Sequence, residues 1–245
     1  MLMARYFLEV AYRGTAYSGF QSQQNANTIQ AELEKAFAIL QRHKVVMTGS
    51  SRTDAGVHAL QNFLHFDYAD PISSQFVYKI NAILPPDIVV KSLTLVSENA
   101  HCRFDAVCRE YRYYIYQHKS PFLDDRAFYF PFKLDIDRMQ EAAELLKKYS
   151  DFTSFSKRNT QVKTFQCYLL ESKWYQNDNC LVYNVKANRF LRGMVRALTA
   201  TMLRLGRGKI DIEDFKQIIE AKDSTKASFA VPPHGLFLEK VEYPS

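Results

Sequence analysis

The run Ser51-Arg52-Thr53-Asp54-Ala55-Gly56-Val57-His58 sets a carboxylate between a guanidinium and an imidazole, with a glycine that lets the backbone turn tightly. A loop carboxylate can serve as a nucleophile or a general base if it stays ionised and reaches its substrate. It can equally close an Asx-turn on the backbone near Gly56, or sit in a surface ion pair. Arg52 and His58 shift the balance toward chemistry, although a lone histidine is more often structural.

Cationic and aromatic groups recur elsewhere. Read as one helix at 100° per residue, Arg189, Arg192, Arg196 and Arg204 fall within an arc of about 120°. Leu191, Val195, Leu198, Met202 and Leu205 lie opposite. In Arg109-Glu110-Tyr111-Arg112-Tyr113, strand alternation puts Tyr111, Tyr113 and Ile115 on one face and Arg112, Tyr114 and Tyr116 on the other. The four cysteines (Cys102, Cys108, Cys167, Cys180) show neither a C-x-x-C pair nor a histidine at zinc spacing, so single, partly buried thiols are expected and no metal site.

Composition narrows the classes. With 47% apolar and 24% charged residues among 245, the chain suits a globular protein with real cores rather than a disordered one. No apolar run approaches the roughly 20 residues of a membrane span. The first residues pass into a strand pattern without a signal peptide's charged head and apolar stretch, so a cytoplasmic location is expected. A net charge of +6 permits a polyanionic partner without proving one. The 15 Tyr and 18 Phe, most of them expected in the core, add rings that could stack on bases.

These groups need elements to hold them, and one order of elements occurs twice. Residues 5–12 alternate as a strand, with Tyr6, Leu8, Val10 and Tyr12 on one face. Thr28 can cap a helix whose stripe is Ile29, Leu33, Ala36, Phe37 and Leu40. Short strands follow at 45–48 and 63–68, then a helix over 75–83 that ends before Pro85-Pro86, and a strand over 87–96. The second round has a strand at 104–116 and a helix from Asp135 or Asp137 to Lys148. A hairpin over 166–175 and 181–187 comes next, then a helix over 189–205 ending at Gly206. Asp211 caps an added helix, and 236–243 is the last strand. Each round is β-α-β-β-α-β, the split βαβ, ferredoxin-like order. The expected fold class is therefore α+β, with two similar halves, 1–103 and 104–245. Their antiparallel sheets are expected to join into one extended surface with helices on the other side and an active-site cleft between the halves.

The Asp54 motif resembles the signature of the bacterial tRNA pseudouridine synthase A family. Further matches follow in order. Tyr17-Ser18-Gly19-Phe20-Gln21-Ser22-Gln23 is similar to the family's N-terminal loop, Asn81-Ala82-Ile83-Leu84-Pro85 to its central turn, and Arg109-Glu110-Tyr111-Arg112-Tyr113 to its tyrosine motif. Asp151-Phe152-Thr153-Ser154-Phe155, Met194-Val195-Arg196 and Gly235-Leu236-Phe237-Leu238 match later segments. Ser51, Phe20 and Ser150 stand where many members carry Gly, Trp and His.

The resemblance implies isomerisation of uridine to pseudouridine at neighbouring uridines of the tRNA anticodon stem-loop, by a homodimer. It nominates Asp54 as the catalytic carboxylate, Arg196 as the cation that favours its ionised form, and Tyr111 as the ring against an extruded base. Arg52 is a weaker candidate for substrate contact, and His58, Arg189 and Arg192 for RNA contact. The reaction breaks N1–C1′ and makes C5–C1′ without redox change or group donor, so it requires no cofactor. Whether Asp54 would attack C1′ or take the 2′ proton stays open. Two rivals remain. A non-catalytic RNA-binding module on the same sheet would have no use for Asp54, Arg196 and Tyr111 together. A carboxylate-dependent hydrolase would usually need a second carboxylate, for which only Asp67 and Asp70 lie nearby in sequence.

Overall fold

Alternating apolar residues in the first segment make a strand whose inner face can be covered on one side only. In the computed structural model, which describes residues 3–158 and 162–244, that segment is β1 (Ala4–Tyr12). Thr28 accepts the Ala31 N–H and opens α1 (Ile29–Gln41), whose buried stripe includes Ile29, Leu33, Ala36 and Phe37. The next strands are the two-residue β2 (Thr48–Gly49) and the long β3 (His58–Tyr68). Then come α2 (Phe76–Asn81) and β4 (Ile88–Val96). The strands run β4-β1-β3, with β2 also on β3, all antiparallel. Phe37 seats α1 on this sheet, its ring edge-on to Phe66 at 4.9 Å and to Tyr68 at 5.3 Å. Asn81, at the end of α2, exchanges two hydrogen bonds of 2.8 Å with the backbone of Val90 and so fixes the helix to β4.

The second unit starts with β5 (Cys108–Tyr116), followed by β6 (Phe128–Tyr129) and α3 (Ile136–Leu146), which Asp135 caps. The hairpin β7 (Leu169–Asn177) and β8 (Cys180–Ala187) turns through Asp178 at φ 49°. Then come α4 (Met194–Gly206), α5 (Ile212–Glu220) and β9 (Leu236–Glu242). Here β8 pairs antiparallel with β5 and β7, and β6 adds to β5 in parallel. Trp174 of β7 stacks on Tyr183 at 5.0 Å and donates to the Met202 sulfur of α4, which ties the helix to the hairpin.

Both units are α+β, and the element order is the one read from the sequence with the two-residue β6, which was not expected, added after β5. Three boundaries differ from that reading by four or five residues, and others by less. The helix expected from Arg189 begins at Met194, because Gly193 takes φ 74° and breaks the helical path. Arg189 and Arg192 therefore lie in the preceding loop, and of the four arginines only Arg196 and Arg204 share α4. The strand expected from Phe104 begins at Cys108, since residues 101–105 close a tight turn through the Phe104 and Asp105 N–H groups on the His101 carbonyl. The strand expected from Phe63 begins at His58, so the end of the Asp54 motif is already strand.

The chain divides into residues 1–107 with 238–245, and 108–237. The last strand, assigned above to the C-terminal half, thus groups mainly with the first unit. The reason is local: β9 lies beside β3, Val241 N–H donates to Gln61 Oε1 at 3.1 Å, and Glu242 accepts the Val107 N–H at 2.8 Å.

Burial on β3 makes one histidine a stability sensor. His65 loses solvation, and His101 and Arg5 further oppose its charging, so its pKa falls to about 4. The unfolded chain takes up this proton near pH 6.5, while the folded chain resists until about pH 4. The stabilisation is therefore complete above the unfolded value and is lost progressively as the pH drops between the two. After allowance for partial screening this amounts to roughly 2 kcal/mol. Urea unfolding at pH 7.5 and 4.5 should show that loss in the wild type, and His65→Gln should flatten the slope.

Candidate active site

Asp54 sits half-buried on a turn whose flanks are tied down one residue at a time. The Val57 N–H closes the turn on the Asp54 carbonyl at 3.2 Å, with Gly56 at φ 78°. On the upstream side, Thr53 Oγ1 lies 2.9 Å from the Tyr12 hydroxyl, and the Thr53 carbonyl accepts the Phe20 N–H at 3.1 Å. Asn62, fully buried on β3, donates to the Ser51 carbonyl at 3.0 Å and to the Tyr12 hydroxyl at 3.3 Å. Downstream, His58 is 1% exposed, and its Nδ1 accepts the Gly14 N–H at 3.1 Å. An accepting Nδ1 puts the proton of the neutral ring on Nε2. The Gly14 Cα packs so closely on the Val57 carbonyl that a Cβ there would fall 2.0 Å from its oxygen.

Asp54 thus rests on a frame made by Tyr12, Gly14, Phe20 and Asn62. The motif text points to none of these four as support. Tyr12 carried a weak signal as the last inward residue of β1. Arg52 projects outward from the same loop. His58 belongs to the frame by its burial, whereas Arg52 is open to a ligand.

In the second unit, Tyr111 lies opposite Val185 on β5, with its ring edge-on to Phe190 at 5.0 Å and 81°. Phe190 belongs to the loop that carries Arg189 and Arg192. That loop is held where Arg109 donates to the Asn188 carbonyl at 3.2 Å and Lys157 N–H to the Arg192 carbonyl at 2.9 Å. Arg196 lies in the first turn of α4, half-buried, and its Nε and Nη2 both donate to the Val231 carbonyl, at 3.1 and 2.7 Å. The next carbonyl, Pro232, accepts the Tyr113 hydroxyl at 2.7 Å. Burial raises the Tyr113 pKa well above the ordinary tyrosine range, and the Arg196 charge only partly offsets this, so Tyr113 stays a neutral donor. Tyr113 shares the Tyr111 face of β5, and that alternation was legible. The attachment of Arg196 and Tyr113 to consecutive carbonyls was not, because it joins residues far apart in sequence.

Asp67, one of the two carboxylates named for the hydrolase reading, is engaged otherwise. Arg5 grips it in a two-point pair, Nε to Oδ1 at 2.7 Å and Nη2 to Oδ2 at 2.8 Å. This hydrogen bonding holds the Asp67 carboxyl below its ordinary pKa and unsuited to act as an acid. The four cysteines are buried thiols, and burial raises Cys167 to about 11. Among the described residues no cluster of His, Cys, Asp or Glu could hold a metal ion, and no helix is long and apolar enough to cross a membrane.

The first unit thus carries a framed loop carboxylate, and the second an aromatic strand and a tethered arginine. Comparison with known proteins makes this specific. The family model for tRNA pseudouridine synthase matches residues 9–105 and 142–244. A protein of Parabacteroides distasonis named tRNA pseudouridine synthase A is 45% identical over 99% of this chain and 97% of its own length. Proteins of the same name from Porphyromonas gingivalis and Staphylococcus aureus are 43% and 38% identical, over 99% and 97% of this chain and 98% and 90% of their own lengths. The chain belongs to the tRNA pseudouridine synthase family and is an enzyme of the isomerase class.

Proposed function

We propose that this enzyme isomerises uridine to pseudouridine in the anticodon stem-loop of tRNA, with Asp54 as its catalytic carboxylate. The observation that carries this reading is the frame around Asp54. Thr53, Ser51 and His58 are each bonded to the protein body, so the carboxylate needs little reorganisation to meet a substrate. The chemistry balances without an external reagent. The N1–C1′ bond breaks, the uracil turns, C5 bonds to C1′, the C5 proton leaves, and N1 gains a proton. Asp54 acts either at C1′ as nucleophile or at C2′ as base. Tyr111 offers the extruded base a ring to stack on, in place of its neighbours in the RNA. Arg196 is the cationic group of the machinery, and Arg52, Arg189 and Arg192 contact the RNA. His58 contributes by fixing the strand after Asp54. The family reading also carries a homodimer acting on tRNA in the cytoplasm, and analytical ultracentrifugation checks the assembly.

The target is tested by mapping pseudouridine in tRNA transcripts whose anticodon-stem uridines are replaced one at a time by cytidine. Product should vanish only with those replacements. Product that persists at a distant uridine would move the site elsewhere on the RNA.

Arg196→Lys tests the guanidinium. A lysine keeps the charge but cannot reproduce the two-point grip on the Val231 carbonyl. The expected result is a fall in kcat of about 100-fold with tRNA affinity nearly unchanged. Equal loss of affinity and turnover would mean that Arg196 serves binding alone.

A further inference from the structure

Beside the Asp54 loop the first unit holds a cavity of about 380 Å³, and Arg52, two residues before Asp54, forms part of its wall. That volume falls in the range of small-ligand sites. Its inner wall is rigid. The Gln30 amide donates to the Met47 carbonyl at 2.7 Å and to Glu34 at 2.9 Å, and its oxygen accepts the Ser22 N–H at 3.1 Å. The Phe20 ring lies beside it, packed so closely on Gly49 that a Cβ there would meet it at 2.2 Å.

The outer wall is Arg103 and Phe104, whose presentation is also built. Beneath them Cys102 is buried, its thiol donating to the Thr48 carbonyl at 3.0 Å and its carbonyl accepting the Tyr243 hydroxyl at 2.6 Å. His101 N–H donates to Asp105 at 2.7 Å and closes the turn. Held this way, Phe104 is 75% exposed, its ring 4.2 Å from that of His101, with the Arg103 guanidinium 5.8 Å from its centroid. The residues lining the cavity include two arginines and no carboxylate. An exposed ring beside Arg103, in a cavity wall that also carries Arg52, meets the demands of a nucleotide, whose base stacks and whose phosphate pairs with arginine.

We propose that this cavity binds one nucleotide of the tRNA other than the uridine being isomerised, its base on Phe104 and its phosphate between Arg52 and Arg103. The inference rests on the tRNA reading above, and its test separates the two. The dissociation constant for a tRNA transcript is measured against salt for wild type, Phe104→Ala, Phe104→Trp and Arg103→Gln, with tritium release from uridine-5-tritiated tRNA in parallel. Phe104→Ala should weaken binding about tenfold and raise KM in proportion, with kcat moving less than twofold, and Phe104→Trp should restore affinity. Arg103→Gln should weaken binding and lower the salt slope by about one, whereas Phe104→Ala should leave the slope in place. Wild-type affinity and slope in both variants would overturn the site while the synthase reading stands. So would a Phe104→Trp protein as weak as Phe104→Ala. A wild type that neither binds tRNA nor releases tritium would overturn both readings. Should Phe104→Ala melt early, the Arg103→Gln salt slope decides alone.

Discussion

Asp54→Asn should bind tRNA within about twofold of wild type and yet release essentially no tritium from uridine-5-tritiated transcript, a loss of about ten-thousand-fold or more. The substitution removes the charge and the nucleophilic oxygen but preserves size and shape. The loop should survive, because its anchors come from Tyr12 on Thr53, Asn62 on Ser51, and the Val57 N–H on the residue 54 carbonyl. Unfolding free energy should therefore change by less than about 1 kcal/mol. Turnover by Asp54→Asn within tenfold of wild type would remove Asp54 from the chemistry. A variant that neither binds nor folds would be replaced by Asp54→Glu, which keeps the charge but shifts the oxygens and should still lose most of the rate.

The second large effect is expected from Gly14→Ala, one methyl group placed away from any reacting atom. A Cβ at residue 14 would lie 2.0 Å from the Val57 carbonyl oxygen and 2.8 Å from its carbon. Both are backbone atoms, so no flexible side chain can swing aside, and either the Gly14 turn or the strand start after Gly56 must move. The Gly14 N–H bond to His58 Nδ1 ties the same two segments and would stretch with them. Overpacking of this kind costs about 1–3 kcal/mol, and the lost hydrogen bond about 1 more. A displacement of about 1 Å at the loop should lower the single-turnover rate about 100-fold. Urea unfolding and rapid-quench kinetics on the same preparation read both. Gly208→Ala is the control, because nothing lies within 4 Å of its Cβ and its only penalty is the positive φ of 65°, which Gly14 does not have. It should lose about 1 kcal/mol of stability and no activity. If Gly14→Ala behaves like the control, the close approach does not hold the catalytic loop.

These predictions depend on contacts of different range, and that range separates what could be read from the sequence from what could not. Thr28 and Asp211 were legible as helix caps because a cap acts within three residues: Thr28 takes the Ala31 N–H, and Asp211 and Asp214 close a reciprocal capping box. The stripe Ile29, Leu33, Ala36 and Phe37 and the β7–β8 hairpin follow from the same local periodicities. The α4 boundary was missed because an arginine-rich amphipathic pattern continues upstream of Gly193, and only the folded path shows that glycine at positive φ. The turn at 101–105 was missed for a related reason. Phe104 fits an aromatic strand in the text, whereas its backbone hydrogen bonds close on His101.

Sequence alone determined the α+β class, the order of elements, the motif around Asp54 and, through six spaced resemblances, the family. All of these rest on residue types at short separations, where backbone geometry leaves few choices. Only the tertiary structure decided what holds Asp54 still, that His58 faces inward, that Asp67 is already engaged by Arg5, and that Arg196 and Tyr113 grip neighbouring carbonyls. Those outcomes join residues separated by dozens of positions. Such pairings are selected by packing and by the need to satisfy buried polar groups, and no local pattern encodes them.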